Sequence, residues 1–146
     1  MAKFQFSNET VALMEGARLI AIELGYDHIS TLHFFLSDCK NERKDSIRNF
    51  SFRTEEDFTT FYQAQRVGDS SIFIDTLPIT MEAERTIYKA IKIRDKLKEK
   101  QVRPCHLFLA ATQLPESHIY SMLEPKQELF QRLENFYIRN DTIKKL

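Results

Sequence analysis

The fold is decided by two stretches that share one pattern: FSNETVALMEGARLIAIELGYDHISTLHFFLSD, residues 6–38, and ITMEAERTIYKAIKIRDKLKEKQVRPCHLFLAA, residues 79–111. They align without a gap at a constant offset of 73 residues. Identical residues fall on one apolar helical stripe and at helix starts, where a shared backbone constrains side chains most. The identical pairs include Glu9 and Glu82, Ala17 and Ala90, Ile20 and Ile93, Leu24 and Leu97, His33 and His106, and Leu36 and Leu109. We interpret the chain as a tandem duplication whose halves pack across a pseudo-two-fold axis.

Each copy is predicted to form four helices, which gives an all-α, eight-helix, pseudo-two-fold fold in a single domain, residues 1–146. Repeat 1 covers about 6–65, a connector covers 66–78, and repeat 2 covers about 79–139. Ser and Thr at the helix starts predict the N-caps, and the apolar spacing predicts that Ile20 and Ile93 are buried in equivalent positions. The predicted helices are about Ser7–Leu24, Thr31–Asp38, Asp45–Asn49 and Glu55–Gln65, then one capped by Thr80, and Pro104–Thr112, Glu116–Leu123 and Lys126–Arg139. In the connector, the alternating stretch 72–74 predicts an extended segment between the halves, with a β-strand as the alternative.

Composition excludes several classes of protein. A chain of 146 residues can bury one core but not a core plus a nucleotide-binding engine. Lysine and arginine number 21, and so do aspartate and glutamate. The chain therefore has no net positive charge that would attract nucleic acid or an anionic membrane. We expect no signal peptide and no membrane span, because no long apolar run occurs. The two cysteines, without disulfide-scaffold spacing, indicate a reduced cytoplasm.

The doubled pattern resembles a known family. The stretches that carry the resemblance are LGYDHISTLHFFL, residues 24–36, LPITMEAE, residues 77–84, and PCHLFL, residues 104–109. They are similar to the N-terminal domain, the double Clp-N repeat, of Clp-type AAA+ unfoldases. The resemblance implies a substrate- or adaptor-recognition module of an unfoldase or protease system that binds polypeptide segments. It implies no cofactor and no catalysis on this chain, which also lacks a glycine-rich phosphate loop.

One departure from the family pattern concerns ligand choice. The family's Thr-Glu-His at the start of the second helix is replaced by Leu32 and Cys105 at the two glutamate positions. In some members that glutamate and a nearby hydroxyl grip phosphorylated arginine. The resemblance therefore marks Ser7, Leu32, Thr80 and Cys105 as the peptide- or adaptor-binding residues. Because leucine and cysteine cannot pair with a guanidinium, we expect apolar or neutral peptides to be preferred, in a cleft beside Ser7 and Leu32 or beside Thr80 and Cys105.

Three other functions are open on the sequence alone. The four histidines lack metal-ligand spacing, so no metal is expected. Cys105 beside His106 could form a nucleophile and base, but adjacent helical side chains diverge by about 100°. The alternative function, a small helical nucleic-acid-binding regulator, rests on the basic run at residues 92–103. In that run acidic residues alternate with the lysines and arginines, which is typical of a solvated helix face.

Overall fold

A computed structural model describes residues 5–41, 46–70 and 77–120, and these contain six α-helices. The helices are α1 Asn8–Glu23, α2 Thr31–Cys39, α3 Arg48–Ser51, α4 Glu55–Ala64, α5 Met81–Lys96 and α6 Pro104–Thr112. The structure is all-helical in this part of the chain, as the sequence predicts. The predicted count of eight is not reached within it. Helix Lys126–Arg139 and the stretch 72–74 lie outside the described residues.

The predicted starts of the main helices are correct because they rest on local hydrogen bonds. The side chain of Ser7 accepts a hydrogen bond from the backbone of Thr10 at the start of α1. Thr80 accepts one from Ala83 at the start of α5. Each cap satisfies a backbone N–H that has no partner within the helix. Consequently α1 and α5, and also α2 and α6, begin and end at the same 73-residue offset.

Two predicted short helices begin later than expected or lie partly outside the described residues. The helix expected at Asp45–Asn49 is α3, which begins at Arg48 with Ile47 at the N-cap position, and the Ser46 hydroxyl just before it accepts a hydrogen bond from the Arg48 backbone N–H. Residues 116–119 form turns rather than a helix, and the rest of the helix expected at Glu116–Leu123, from residue 121 onward, lies outside the described residues. The side chain of Ser117 donates to the Ala111 carbonyl at the end of α6, which holds this turn against the preceding helix.

The core lies between the helix pairs. Helix α1 packs against α2, and α5 packs against α6, while α2 also contacts α5 and α6. The rings of Phe35 and Phe108, which occupy equivalent positions in the two copies, meet edge to face with centroids 6.4 Å apart. Aromatic pairs favour this geometry. Helices α2 and α6 therefore contact each other through equivalent residues of the two copies.

The apolar stripe of the second copy is less deeply buried than expected. Ile20 is 4% exposed, but Ile93 is only half-buried against the core. The prediction of equal burial is therefore wrong for Ile93. The next residue in the second copy is Arg94, where the first copy has Ala21, so the end of α5 carries a polar group where α1 carries a buried methyl.

Each long helix ends with a residue in the left-handed region of backbone space. Gly25 has a φ of +87° after α1, and Lys98, the equivalent residue after α5, has a φ of +58°. Glycine is required at the first position for a second reason. A Cβ on Gly25 would lie 2.6 Å from the carbonyl carbon of Gly68, so the two backbones could not approach as they do.

Candidate functional site

The start of each long helix pairs with a loop of the other copy. Ile79 forms a parallel bridge with Ile29, and Phe6 forms one with Val102. Thr80 consequently lies beside Leu32, whereas Ser7 donates its backbone N–H to the Val102 carbonyl at 3.0 Å, in the loop before α6. The expected grouping of Ser7 with Leu32 and of Thr80 with Cys105 is therefore wrong. Thr80 is grouped with Leu32, and Ser7 lies beside the loop that leads to Cys105.

A surface groove lies where Thr80 meets Leu32, with a volume of about 690 Å³. We call it the Leu32–Thr80 groove. Its lining residues are Tyr26, Asp27, His28, Ser30, Leu32, His33, Pro78, Ile79, Thr80, Met81 and His118. Met81 is 70% exposed and Ile79 is 45% exposed at this groove. Exposed apolar side chains beside a concave surface are typical of a binding site.

The carboxylate of Glu82 lies behind the groove, although no sequence motif predicts a role for it at this site. It is buried and accepts four hydrogen bonds. Oε1 accepts from the backbone N–H of Thr31 at 3.0 Å and from the Thr80 hydroxyl at 2.7 Å. Oε2 accepts from the Thr31 hydroxyl at 2.6 Å and from the backbone N–H of His118 at 2.9 Å. Glu82 thus joins the starts of α2 and α5 to the turn after α6.

These hydrogen bonds keep Glu82 ionised. Burial alone would raise the pKa of Glu82, but the donors from Thr31, His118 and Thr80 together outweigh it and hold the pKa below its usual value. A carboxylate therefore lies next to the groove, although Leu32 and Cys105 occupy the two positions of the family's glutamate. Both oxygens are already engaged, so a ligand guanidinium could pair with Glu82 only by displacing donors that the fold uses.

The equivalent Glu9 has no comparable site and is exposed. The reason lies at the position that supplies two of the four donors. Thr31 corresponds to Pro104 in the second copy, and proline has neither a backbone N–H nor a hydroxyl. In place of the carboxylate, the Thr10 hydroxyl donates to the Val102 carbonyl at 2.7 Å. The two equivalent sites therefore differ in chemistry.

The site that contains Ser7 and Cys105 is closed. Ser7 is 5% exposed and Cys105 is 3% exposed. The hydroxyls of Ser7 and Thr10 lie 2.9 Å apart and share a hydrogen bond. A buried thiol beside satisfied hydroxyls offers little surface to a ligand. Of the four residues expected to bind a partner, Leu32 and Thr80 line a groove, Leu32 with only 8% of its surface exposed, whereas Ser7 and Cys105 are buried at the closed site.

The repeated histidines act as helix-start residues. His33 Nδ1 accepts the backbone N–H of Ser30 at 2.9 Å, and His106 Nδ1 accepts that of Arg103 at 2.8 Å. Each takes the place that glutamate has in a capping box. Because His33 is buried, its pKa falls to about 4, even though Glu82 nearby acts to raise it. His33 is therefore neutral at pH 7, and His106 has a structural role that does not require Cys105 as a partner.

The basic run uses its two arginines within the fold. Arg94 donates to Asp95 at 2.8 Å and to the Lys100 carbonyl at 3.2 Å. Arg103 forms two hydrogen bonds with Glu99, at 2.8 and 3.0 Å. Arginines held in this way are not free to contact phosphates. The exposed cations of the run are lysines, which fits a solvated helix face.

Within residues 5–41, 46–70 and 77–120, no three His, Cys, Asp or Glu side chains are grouped so that they could hold a metal ion. In the same ranges, no helix has both the length and the apolar character needed to cross a membrane. Cys39 and Cys105 are both buried and form no disulfide with each other, and burial raises the pKa of Cys39.

Comparison with known proteins shows similarity in fold. No family model and no curated protein matches the sequence. Among solved structures, the N-terminal domain of the caseinolytic protease-associated chaperone ClpD from Arabidopsis thaliana is similar at a TM-score of 0.71 and 12% identity, over 91% of this chain and 97% of that one. The Hsp104 N-terminal domain from Candida albicans is similar at a TM-score of 0.71 and 14% identity, over 91% of each chain.

A third structure, from preliminary structural investigations of a malarial protein secretion system, has a TM-score of 0.68 at 15% identity, over 90% of this chain and 96% of that one. The fold is thus the one shared by N-terminal domains of Clp and Hsp104 proteins. The chain has a Clp-N-like fold, as the repeated motifs predict. At identities this low, the similarity shows the fold alone.

Proposed function

We propose that this domain is a substrate- or adaptor-recognition module of a Clp-type unfoldase or protease system in the cytoplasm, and that it binds polypeptide segments in the Leu32–Thr80 groove. The observation that carries the proposal is the groove itself, with Met81 and Ile79 exposed beside it. The Clp-N-like fold supports the class of partner. Two buried cysteines that form no disulfide with each other agree with a reducing compartment.

The lining of the groove favours apolar segments. It contains leucine, isoleucine, methionine and proline, and it includes no lysine or arginine. Its Glu82 neighbour is saturated by four donors, so a ligand cation gains no free acceptor there. An anionic group would meet no cation. Burial of an apolar side chain against the exposed side chains of Met81 and Ile79 is therefore the main source of binding free energy.

The proposal is tested by titrating a labelled, unfolded apolar peptide into the protein and measuring fluorescence anisotropy. Met81→Ser removes apolar surface from the groove and is expected to weaken binding about five- to tenfold, the effect of about 1 kcal/mol. Tyr88→Ser is the matched control. Tyr88 is 58% exposed on the same helix but does not line the groove, so this variant is expected to bind like the native protein.

Equal weakening by both variants, or no saturable binding by the native protein, would overturn the proposal. Free phosphoarginine is expected to give no saturable signal in calorimetry, because the groove lining supplies no lysine or arginine for its phosphate and Glu82 behind it has no free acceptor for its guanidinium. A parallel titration with single-stranded DNA at two salt concentrations covers the nucleic-acid alternative, since phosphate binding must weaken steeply as salt rises.

A further inference from the structure

The backbone of Ile79 has an edge that the fold leaves without hydrogen bonds. The N–H of Ile29 donates to the Pro78 carbonyl at 2.9 Å, and the N–H of Thr80 donates to the Ile29 carbonyl at 2.9 Å. In a parallel bridge with this pattern, the N–H and C=O of Ile79 point away from Ile29. Neither group has a partner among the described residues, and Ile79 is 45% exposed.

The equivalent bridge of the other copy has the same hydrogen bonds but not the same accessibility. Ser7 donates to the Val102 carbonyl at 3.0 Å, and Val102 donates to the Gln5 carbonyl at 2.6 Å, so the backbone groups of Phe6 also point outward. However, the side chain of Phe6 is partly buried against the core. Of the two bridges, the one at Ile79 combines an exposed edge with a groove.

We propose that the Leu32–Thr80 groove binds an extended polypeptide segment by strand addition, with the segment hydrogen-bonded to the N–H and C=O of Ile79. This inference rests on the proposed function and specifies how the segment is held. An unpaired strand edge is a template for another extended chain. Because residues 78–81 also line the groove, alternate side chains of the added segment would lie against Met81 and its apolar neighbours.

Charge complementarity defines the occupant further. Asp27 is the one carboxylate in the groove lining, its side chain is 85% exposed, and a hydrogen bond from His28 lowers its pKa, so it is ionised at pH 7. No lysine or arginine lines the groove. The occupant we assign is therefore an extended segment of apolar residues flanked by a basic rather than an acidic residue. Hydrogen bonds between main chains do not depend on the identity of the side chains, so such a site would accept many sequences.

The experiment uses a short soluble peptide in which leucine alternates with threonine and a lysine lies at each end. A series of variants carries one N-methyl group each, at successive backbone positions, and affinities are measured by fluorescence anisotropy. Removing the N–H that pairs with the Ile79 carbonyl is expected to weaken binding about tenfold, because it breaks one hydrogen bond and leaves an acceptor unpaired. N-methylation at the adjacent residues, whose N–H groups point to the other edge, is expected to change affinity less than about twofold.

Protein variants test the same edge from the other side. Ile79→Ala keeps the backbone N–H and removes the side chain, whereas Ile79→Pro removes both. Ile79→Pro is expected to bind the peptide about tenfold more weakly than Ile79→Ala. Circular dichroism and thermal unfolding of both variants establish that they are folded, and the N-methyl series gives the answer on the native protein if Ile79→Pro is not.

The outcomes separate this inference from the proposed function. A position-specific loss on N-methylation supports strand addition. If the peptide binds and Met81→Ser weakens it, but every N-methyl variant binds like the parent, strand addition is overturned and the proposed function stands. If the native protein does not bind the peptide at all, both are overturned. A peptide with glutamates in place of the lysines is expected to bind more weakly, and tighter binding of that peptide would contradict the assigned occupant.

Discussion

Replacing Glu82 by glutamine tests whether its carboxylate holds the groove together. Glutamine has nearly the same shape, but one carboxylate oxygen becomes an NH₂ group that cannot accept a hydrogen bond. The hydroxyls of Thr31 and Thr80 can rotate and accept from the new amide. Two of the donors are backbone N–H groups and cannot become acceptors: that of Thr31 donates to Oε1, and that of His118 donates to Oε2. Either orientation of the amide therefore places its NH₂ group against one of these N–H groups and leaves that N–H unpaired.

The size of the effect follows from these contacts. One hydrogen bond to a charged group contributes about 1.5–3 kcal/mol, and the remaining bonds lose their charge assistance. We therefore expect Glu82→Gln to lower the free energy of unfolding by about 2–3 kcal/mol at neutral pH. The measurement is urea denaturation followed by circular dichroism, with the slope against urea concentration unchanged.

Glu9→Gln is the matched control, because Glu9 occupies the same position of the first copy and is exposed. It removes a similar charge from a helix start without breaking this network, and its expected cost is below about 0.5 kcal/mol. Because the pKa of Glu82 is lowered by folding, its contribution is complete above the ordinary range of glutamate and is lost as pH falls through the folded pKa. The difference between the native protein and Glu82→Gln should shrink on acidification. A Glu82→Gln variant as stable as Glu9→Gln would refute the reasoning.

Three further predictions concern the core and the turns. Ile20→Ala is expected to cost about 2–5 kcal/mol of unfolding free energy in urea denaturation, and Ile93→Ala less because Ile93 is half-buried; equal losses would contradict the burial. In an NMR titration His33 is expected to titrate near pH 4. Because folding lowers this pKa, the stability of the protein is expected to decline as pH falls from the ordinary histidine range towards pH 4. A measured His33 pKa near 6.5 would show that the ring is solvated. Gly25→Ala is expected to cost more than about 1 kcal/mol in thermal unfolding, because of the positive φ and the close approach of Gly68, and an unchanged midpoint would contradict it.

The parts of the fold that could be predicted are those set by local interactions. The caps Ser7 and Thr80, the proline at the first turn of α6 and the glycine after α1 each act within a few residues, so their sequence signals are direct. The aligned pairs His33 with His106 and Leu36 with Leu109 likewise mark the matching helices α2 and α6. A start such as that of α3 is harder to predict, because the helix has only four residues and no side-chain cap marks its first turn.

The site could be predicted only in part, because its geometry depends on contacts between the copies. Leu32 and Thr80 were identified, but no local signal shows that the start of one copy's long helix pairs with the other copy's loop. Glu82 is the clearest example. Glutamate also occurs at the equivalent position of the first copy, Glu9, which is exposed to solvent. The sequence difference that matters is at the partner position, where Thr31 supplies two of the four donors to Glu82 and Pro104 can supply neither to Glu9.

The crossed bridges also bear on how the molecule could be divided. Ile29 with Ile79 and Phe6 with Val102 link the copies reciprocally, as identical subunits do when they exchange segments. A polypeptide carrying one copy alone would have a helix start and a loop with no partner in the same chain, and a second polypeptide of the same kind could supply both. The arrangement is that of a symmetric dimer joined into one chain. Within one chain, equivalent positions of the two copies can carry different residues, and here one interface has a groove and the other is closed.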